Sequence, residues 1–429
     1  MKTKIIFLFF LTVSFLYHAQ YLKVNGKVLN DANGIPIILR GINYPILDDG
    51  DVDFNTPSTY QTKINEFAKT GANTIRIPWN TSGKHWRDAM TPGTLQSYVD
   101  NGKLAAFIDY CSSKNLYTIL EIHDITCTNN WAVFNNEVMA FWKQNAIKNL
   151  INYREGRVII NIANEFGTDA NWGGNNADFA NNYATAVTAL RTEGYRVPIM
   201  IDAPNCGMAS TTLTNVASTI YNADNLKNIM FSVHTYWIGY ANNNAAIDAK
   251  MLEMYNSPYY FFLGEIANLQ DVGSCGDTDI TNIYKRVLTK ACEYNIGWLA
   301  WSYFKDCASQ RQMTTTGMFA NLTTFGNDIV NNATYGLKST SCGTTLKNNE
   351  SLDLESNDIV ITPNPVKEEF SIITKNDIES LNLVDLSAKK VFIKDVAKNK
   401  YKINAPNGVY MLNMKTKKGN FNKKIIIQR

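Results

Sequence analysis

Eight short apolar runs, spaced along residues 36–304, constrain this chain more than any other feature. They are Pro36 to Tyr44, Asn73 to Trp79, Tyr117 to Asp124, Val158 to Glu165, Ile199 to Pro204, Met230 to Tyr236, Tyr259 to Ala267 and Gly297 to Phe304. A continuous apolar run reads as a strand covered on both faces, as in a parallel sheet. Most stretches between the runs are long enough for a helix with its loops, and Tyr183 to Arg191 places apolar residues at roughly helical spacing. Eight strand–helix units in about 320 residues predict an α/β chain folded as a (β/α)8 TIM barrel. An open doubly wound sheet is the alternative. That fold usually shows a Gly-rich phosphate turn after its first strand, and Gly41-Ile42-Asn43 is not one.

A barrel of this kind carries its chemistry at the C-terminal ends of its strands, where the βα loops form a cleft. The polar residues fall there. Arg76 lies in the second run, His123-Asp124 ends the third, Asn164-Glu165 ends the fourth, and His234 and Tyr236 end the sixth. Glu265 comes late in the seventh run and Trp301 lies in the eighth. Strands four and seven lie nearly opposite in an eight-stranded barrel, so Glu165 and Glu265 can flank one bond. Retaining glycoside cleavage needs such a pair, one carboxyl protonated and the other ionised. Each residue also has a structural reading: a glutamate can cap a helix or pair with a cation, and a histidine or tryptophan can be core. Six strands converging on acids, imidazoles and aromatics favour catalysis. His123-Asp124 could supply two metal ligands, but no His-x3-His or Cys-x2-Cys spacing accompanies them. No Gly-x-Ser-x-Gly elbow points to a serine hydrolase. No metal or cofactor is expected.

Six stretches resemble glycoside hydrolase family 5: Gly71-Ala72-Asn73-Thr74-Ile75-Arg76-Ile77-Pro78, Glu121-Ile122-His123-Asp124, Asn161-Ile162-Ala163-Asn164-Glu165, Ser232-Val233-His234-Thr235-Tyr236, Gly264-Glu265 and Trp298-Leu299-Ala300-Trp301-Ser302. They occur in the family's order. The resemblance implies that Glu165 is the acid/base and Glu265 the nucleophile. It makes Arg76, His123, Asn164, His234, Tyr236 and Trp301 supporting or substrate-binding residues. Val158 to Glu165, Met200-Ile201-Asp202-Ala203, Tyr221-Asn222-Ala223-Asp224, Met230 to Tyr236 and Tyr335-Gly336-Leu337 look closest to bacterial β-1,4-mannanases. Phe166 and Ile266 depart from that branch beside the glutamates, which keeps an endo-β-1,4-glucanase as the alternative. A non-catalytic glycan-binding barrel is a further alternative, against which both glutamates argue. The implied partner is a polysaccharide or oligosaccharide. Trp79, Trp86, Trp131, Trp172 and Trp237 fall in or beside predicted loops and are candidate outer subsites.

Composition changes along the chain. Lys2 and Lys4 precede an apolar run, Ile5 to Tyr17, and Ala19 is a plausible cleavage point, so residues 1–19 read as a signal peptide. The run is short of the roughly 20 residues a membrane span needs. The barrel is placed at 20–345 and a polar linker at 346–355. Residues 356–429 alternate short apolar runs with turn signals, including Pro363-Asn364-Pro365 and Asn407-Gly408, and predict a small C-terminal all-β module. From Glu350 onward there are 14 Lys and Arg against 10 Asp and Glu, whereas the first 349 residues carry 27 against 28. A formal net charge of +3 gives no basic excess suited to nucleic acid. Thr362-Pro363-Asn364-Pro365, Ala405-Pro406-Asn407-Gly408-Val409-Tyr410 and Lys423-Lys424-Ile425-Ile426-Ile427 resemble the C-terminal sorting domain of type IX secretion. That resemblance implies the type IX secretion machinery as a partner and a secreted or cell-surface location. A carbohydrate-binding β-module is the alternative. The chain is expected to be a monomer. With seven cysteines at least one is left unpaired within the chain. Cys111 and Cys292 are expected as buried thiols, and Cys275 and Cys307 as a disulfide between neighbouring loops.

Overall fold

Each of the eight apolar runs contributes one parallel strand, and the strands close on themselves. They are β1 (Arg40–Asn43), β2 (Thr74–Trp79), β3 (Tyr117–Ile122), β4 (Val158–Asn161), β5 (Ile199–Asp202), β6 (Ile229–His234), β7 (Phe261–Ile266) and β8 (Trp298–Ala300). Closure comes where Trp298 of β8 pairs with Arg40 of β1. The computed structural model describes residues 21–81, 91–342, 360–363, 366–374, 377–385, 390–416 and 419–427. The expected leader and linker and Trp86 lie outside the described residues.

The strands alternate between two buried environments, as the two-residue pleat requires. Ile75, Ile77, Leu120, Ile160, Ile201 and Leu263 face outward and pack with the helices in one continuous core. The helix Asn176–Thr192 shows how that layer forms. It buries Phe179, Tyr183, Val187 and Leu190 in one stripe, and the Asn175 side chain caps it by accepting from the N–H groups of Ala177 and Asp178. Each such side chain contributes about 1.5–3 kcal/mol on burial.

Inside the barrel the lower layer is apolar and the upper layer is polar. Ile119, Ile159, Met200, Met230, Phe262 and Leu299 form a separate buried cluster with Leu22, Val24 and Leu29. The last three come from an N-terminal hairpin, Lys23–Asn25 with Val28–Asn30, joined by Pro36–Ile37 as a third strand. The expected strand Pro36 to Tyr44 is therefore two strands. Pro36–Ile37 belongs to the hairpin sheet, and Arg40–Asn43 alone enters the barrel. One pleat further along, the inward positions become Glu121, Asn161 and Asp202, all fully buried.

Strand β7 breaks the alternation. Phe261, Leu263 and Ile266 all face the helix layer, which strict pleating would not allow. The pairing slips around Gly264: Leu263 opposes Val233, and Glu265 opposes His234. A bulge of this kind re-aims the following side chain. Here it turns Glu265 from the helix layer into the barrel. Gly264 permits it, because a Cβ there would sit 2.4 Å from Ser232 Oγ and 2.7 Å from His234 Nε2.

The chain forms two compact units that divide after residue 346. In the second unit, Val360–Thr362, Glu369–Ile373, Lys400–Ile403 and Ile393–Ala397 form one antiparallel sheet. Lys390–Val391, Ile378–Val384, Gly408–Thr416 and Gly419–Ile427 form another. Phe370, Tyr401, Leu412 and Ile425 belong to the core they share. The module is all-β, as its turn-punctuated runs predict.

The cysteines depart from expectation in one respect. Cys275 pairs with Cys307 and Cys111 is a buried free thiol, both as expected. Cys292 is not a thiol; it is bonded to Cys342, which the chain after the last barrel helices brings to it. Cys127 and Cys206 form a third disulfide.

Replacing Gly264 with Ala should cost about 1–3 kcal/mol of stability, because the bulge must open or His234 must move. Thermal unfolding followed by circular dichroism measures this. A Tm equal to that of the wild type would contradict the role given to the bulge.

Candidate active site

Arg76 is a full positive charge with no exposure to water, at the centre of the polar layer. Unpaired, such a charge would cost several kcal/mol. Its Nη1 donates to Asn43 Oδ1 at 2.8 Å and to Glu265 Oε1 at 3.0 Å. Its Nη2 donates to Asn164 Oδ1 at 2.6 Å and Asn161 Oδ1 at 2.9 Å, and Nε donates to Asn161 Oδ1 at 3.1 Å. Glu121 and Asp202 lie 3.6 Å from the guanidinium. Burial pulls against the charge, but Glu121, Asp202, Glu265 and Glu165 outweigh it and hold Arg76 firmly protonated. From β2, this one side chain thus ties residues on β1, β3, β4 and β5 and the loop after β4 to the bulge of β7.

Glu165 follows β4 in a left-handed backbone conformation, φ 50°. Such a conformation costs on the order of 1–3 kcal/mol for a residue with a side chain. Its N–H donates to Asp202 Oδ2 at 3.0 Å, which helps fix the conformation. Its Oε1 lies 2.6 Å from His234 Nδ1. Burial is the largest influence on the Glu165 carboxyl and pushes it up. His234 pulls the other way, while Glu265 and Asp202 add to the rise, and the balance favours the protonated form. Burial pulls His234 down, but Glu265, Asp202 and Glu165 outweigh it and push it up to about 9.

Glu265 receives two donors, Arg76 Nη1 on Oε1 and Tyr236 Oη on Oε2 at 2.9 Å. Burial raises the Tyr236 hydroxyl well above its ordinary range, so it stays a donor. His123 Nδ1 lies 2.7 Å from Glu121 Oε1, and its ring lies parallel to Trp301 at 5.9 Å between centroids. Trp301 Nε1 donates to Asp306 Oδ2, and Arg311 donates to both oxygens of the same carboxylate. These contacts fix the indole plane at the edge of the cleft.

The layer opens into a cavity of about 330 Å³, lined among others by Glu165, Glu265, His123, Asn164, Tyr236 and Trp301. That is the size range of small-molecule sites. Arg76 and His234 lie beneath it and act on the carboxyls from below. All eight residues singled out from the sequence are therefore brought together.

The outer-subsite candidates fare differently. Trp172 is 49% exposed and lines the cavity. Trp79 and Trp237 are fully buried, and Trp131 packs edge-on against Phe134, Phe166 and Tyr183. Those three are packing residues. Phe166 and Ile266, the departures beside the glutamates, are fully buried and lie outside the cavity lining. Sequence reading missed Asn43, Glu121, Asn161 and Asp202. Their signal was available, since each stands at a strand's C-terminal end, the rule that found the others. It also missed Asp306 and Arg311, which a loop supplies and no strand pattern marks.

Three groupings bring potential metal ligands within 4.8 Å among the described residues. Cys127 and Cys206 beside Glu165 are bonded to each other, as are Cys275 and Cys307 beside Asp271, so neither pair offers thiolates. In the third, His234 Nδ1 is already engaged with Glu165. None fits a resident metal.

The family model for cellulase (glycosyl hydrolase family 5) matches residues 30–306. The model for the secretion system C-terminal sorting domain matches residues 360–428, which directs the protein to the cell surface or the exterior. A mannan endo-1,4-beta-mannosidase of Cellvibrio japonicus is 29% identical over 323 residues, 74% of this chain and 67% of that protein. One of Salipaludibacillus agaradhaerens is 30% identical over 321 residues, 74% of this chain and 93% of that protein. The β-mannanase of Streptomyces thermolilacinus superposes with a TM-score of 0.60 at 23% identity, covering 75% of this chain and 97% of its own. The mannohexaose complex of the Thermomonospora fusca β-mannanase gives 0.59 at 22%, covering 76% and 99%. At that identity the structural likeness speaks to the fold. The sequence match runs from just before β1 to just past β8, and on it the chain belongs to glycosyl hydrolase family 5 and is a glycoside hydrolase.

Proposed function

We propose that the chain is a retaining endo-β-1,4-glycanase acting on β-mannan, with Glu265 as nucleophile and Glu165 as acid/base. The observation that carries this reading is the spacing of the carboxyls. An oxygen of Glu165 and one of Glu265 lie within 4.8 Å of each other. Retaining enzymes hold their carboxyls about 5–5.5 Å apart, and inverting enzymes need about 6.5–9.5 Å to admit a water.

The surroundings suit the two roles. Both oxygens of Glu265 accept hydrogen bonds, from Arg76 and Tyr236, which hold the carboxyl group in place to attack the anomeric carbon. Burial favours a proton on Glu165, which passes to the leaving oxygen as the glycosidic bond breaks. The glycosyl–Glu265 ester then awaits water. Glu165, now a carboxylate, takes the water's proton as the ester is cleaved. Asn164 is held by Arg76 Nη2 and faces the cavity, where it can bond the sugar 2-hydroxyl. Trp301 offers an aromatic floor to the ring whose bond breaks, and His123 steadies that floor from one side.

The mannan preference rests on the two mannosidase relatives, each matched over 74% of this chain. Glu165→Ala and Glu265→Ala should each lower kcat/KM by a factor of about 10² to 10⁴ or more. The assay is reducing-sugar release from mannan, glucomannan, carboxymethylcellulose and xylan, compared side by side. Full activity of either variant would overturn the residue assignment, and carboxymethylcellulose as the best substrate would overturn the mannan preference.

His234 gives a second expectation. Its ordinary value near 6.5 is raised to about 9 in the folded chain. Protonation of His234 therefore contributes stability that is complete below about pH 6.5 and is lost as pH rises through 9. The Tm of the wild type should fall over that window more steeply than that of His234→Gln. Parallel Tm profiles for the two proteins would show that His234 does not carry this charge.

A further inference from the structure

The two oxygens of Glu165 face different chemistry. Oε1 meets His234 Nδ1 at 2.6 Å. Oε2 meets Cys127 Sγ at 3.3 Å, with no other hydrogen-bonding partner among the described residues. Cys127 is bonded to Cys206, so this sulfur carries no hydrogen and has nothing to donate. A carboxyl oxygen is thus set against a group that can contact it without stabilising a negative charge on it.

The disulfide is also built into the wall of the cleft. Cys127 lies in the loop after β3 and Cys206 in the loop after β5, and both line the cavity. Their bond, between Cα atoms 4.6 Å apart, spans the loop after β4 that carries Glu165. Cys127 N–H donates to the Glu165 carbonyl at 3.2 Å, so backbone and side chain of the two residues are held together. Asn205, Cys206 and Gly207 are successive left-handed residues, with φ of 59°, 55° and 74°. Asn205 N–H donates to the Gly167 carbonyl at 2.9 Å, and Gly207 accepts from His234 N–H at 2.8 Å. The second cysteine is thereby tied to the loop after Glu165 and to its histidine partner.

We propose that the Cys127–Cys206 disulfide is a positioning element for the acid/base: by presenting sulfur without a hydrogen to Oε2, it withholds a donor from Glu165 and keeps the carboxyl in its proton-bearing form. The inference rests on the reading of Glu165 as the acid. The other groups facing Glu165 are His234 from β6, Glu265 from β7, Asp202 from β5, Arg76 from β2 and Tyr236 from the loop after β6. Among these, the carboxylates favour the proton and the cations oppose it. The disulfide acts at the oxygen that none of them bonds. A donor introduced there would stabilise the carboxylate and release the proton at lower pH.

The test compares two variants that both lack the disulfide. Cys127→Ala/Cys206→Ala leaves no donor at Oε2. Cys127→Ser/Cys206→Ala places a hydroxyl there. The alkaline limb of the kcat/KM profile, which reports loss of the Glu165 proton, should lie lower in the serine variant by about half a pH unit to one unit. A merely structural brace would move Tm in both variants and leave their limbs together, and coincident limbs would overturn the proposal. Should neither variant fold, the wild type treated with a phosphine reductant gives the same readout. Reduction converts the bond to two thiols, and alkylation with mass mapping identifies Cys127 as open. The limb should then shift to lower pH as the Cys127 thiol donates to Oε2, and an unmoved limb would overturn the inference. Glu165→Ala keeps the two readings separate. Retained activity there would remove Glu165 as the acid, whereas its loss together with coincident limbs would remove only the role of the disulfide.

Discussion

The polar layer of this barrel is organised by the buried guanidinium of Arg76. A charge with no access to water survives only if its surroundings answer all its donors, and here three asparagines and Glu265 do so. Because the planar fork has a fixed geometry, it also fixes where those partners stand. Asn43, Asn161 and Asn164 are held at the ends of β1 and β4, and Glu265 is held at the bulge of β7. The candidate site is the set of groups that one buried cation requires, together with the groups packed against them.

Two local distortions complete the arrangement, and both run against simple strand geometry. The bulge at Gly264 turns Glu265 inward, and the left-handed backbone at Glu165 aims the second carboxyl toward it. Each is compensated by its neighbours. Asp202 takes the Glu165 N–H, and Arg76 and Tyr236 take the Glu265 oxygens. Below them, the apolar half of the barrel interior is plugged by the N-terminal hairpin. Water is thereby kept from the underside of the site, where the charges of Arg76, Asp202 and His234 interact at short range.

Much of this was legible in the chain itself. The eight barrel strands were visible because strands buried on both faces must be continuously apolar, and the strand-end rule located both glutamates. What escaped had physical reasons. The N-terminal hairpin strands are two or three residues long, too short for a periodic signal. The bulge in β7 is a slip of pairing, and pairing is not written in one strand's own residues. Asp202 and Asn43 sit at strand ends like the others, but on runs, Ile199 to Pro204 and Pro36 to Tyr44, that carry no glutamate, imidazole or tryptophan to mark them. The Cys292–Cys342 and Cys127–Cys206 bonds depend on which loops meet in space, and spacing along the chain carries no such information. The tryptophans show the limit of composition. Trp79, Trp131 and Trp237 serve packing, and Trp172 alone among the described loop candidates reaches the cavity.

Export sets the conditions in which these features work. The sorting domain takes the protein to the surface or the exterior, where three disulfides can persist. Double displacement across the short separation of the two glutamates would retain configuration at the anomeric carbon. Proton NMR of the first product released from a β-1,4-mannooligosaccharide tests it most directly. With retention, the new reducing end appears first as the β-anomer and drifts to the equilibrium mixture only afterwards. An α-anomer at the earliest times would mean single displacement by water and would contradict it.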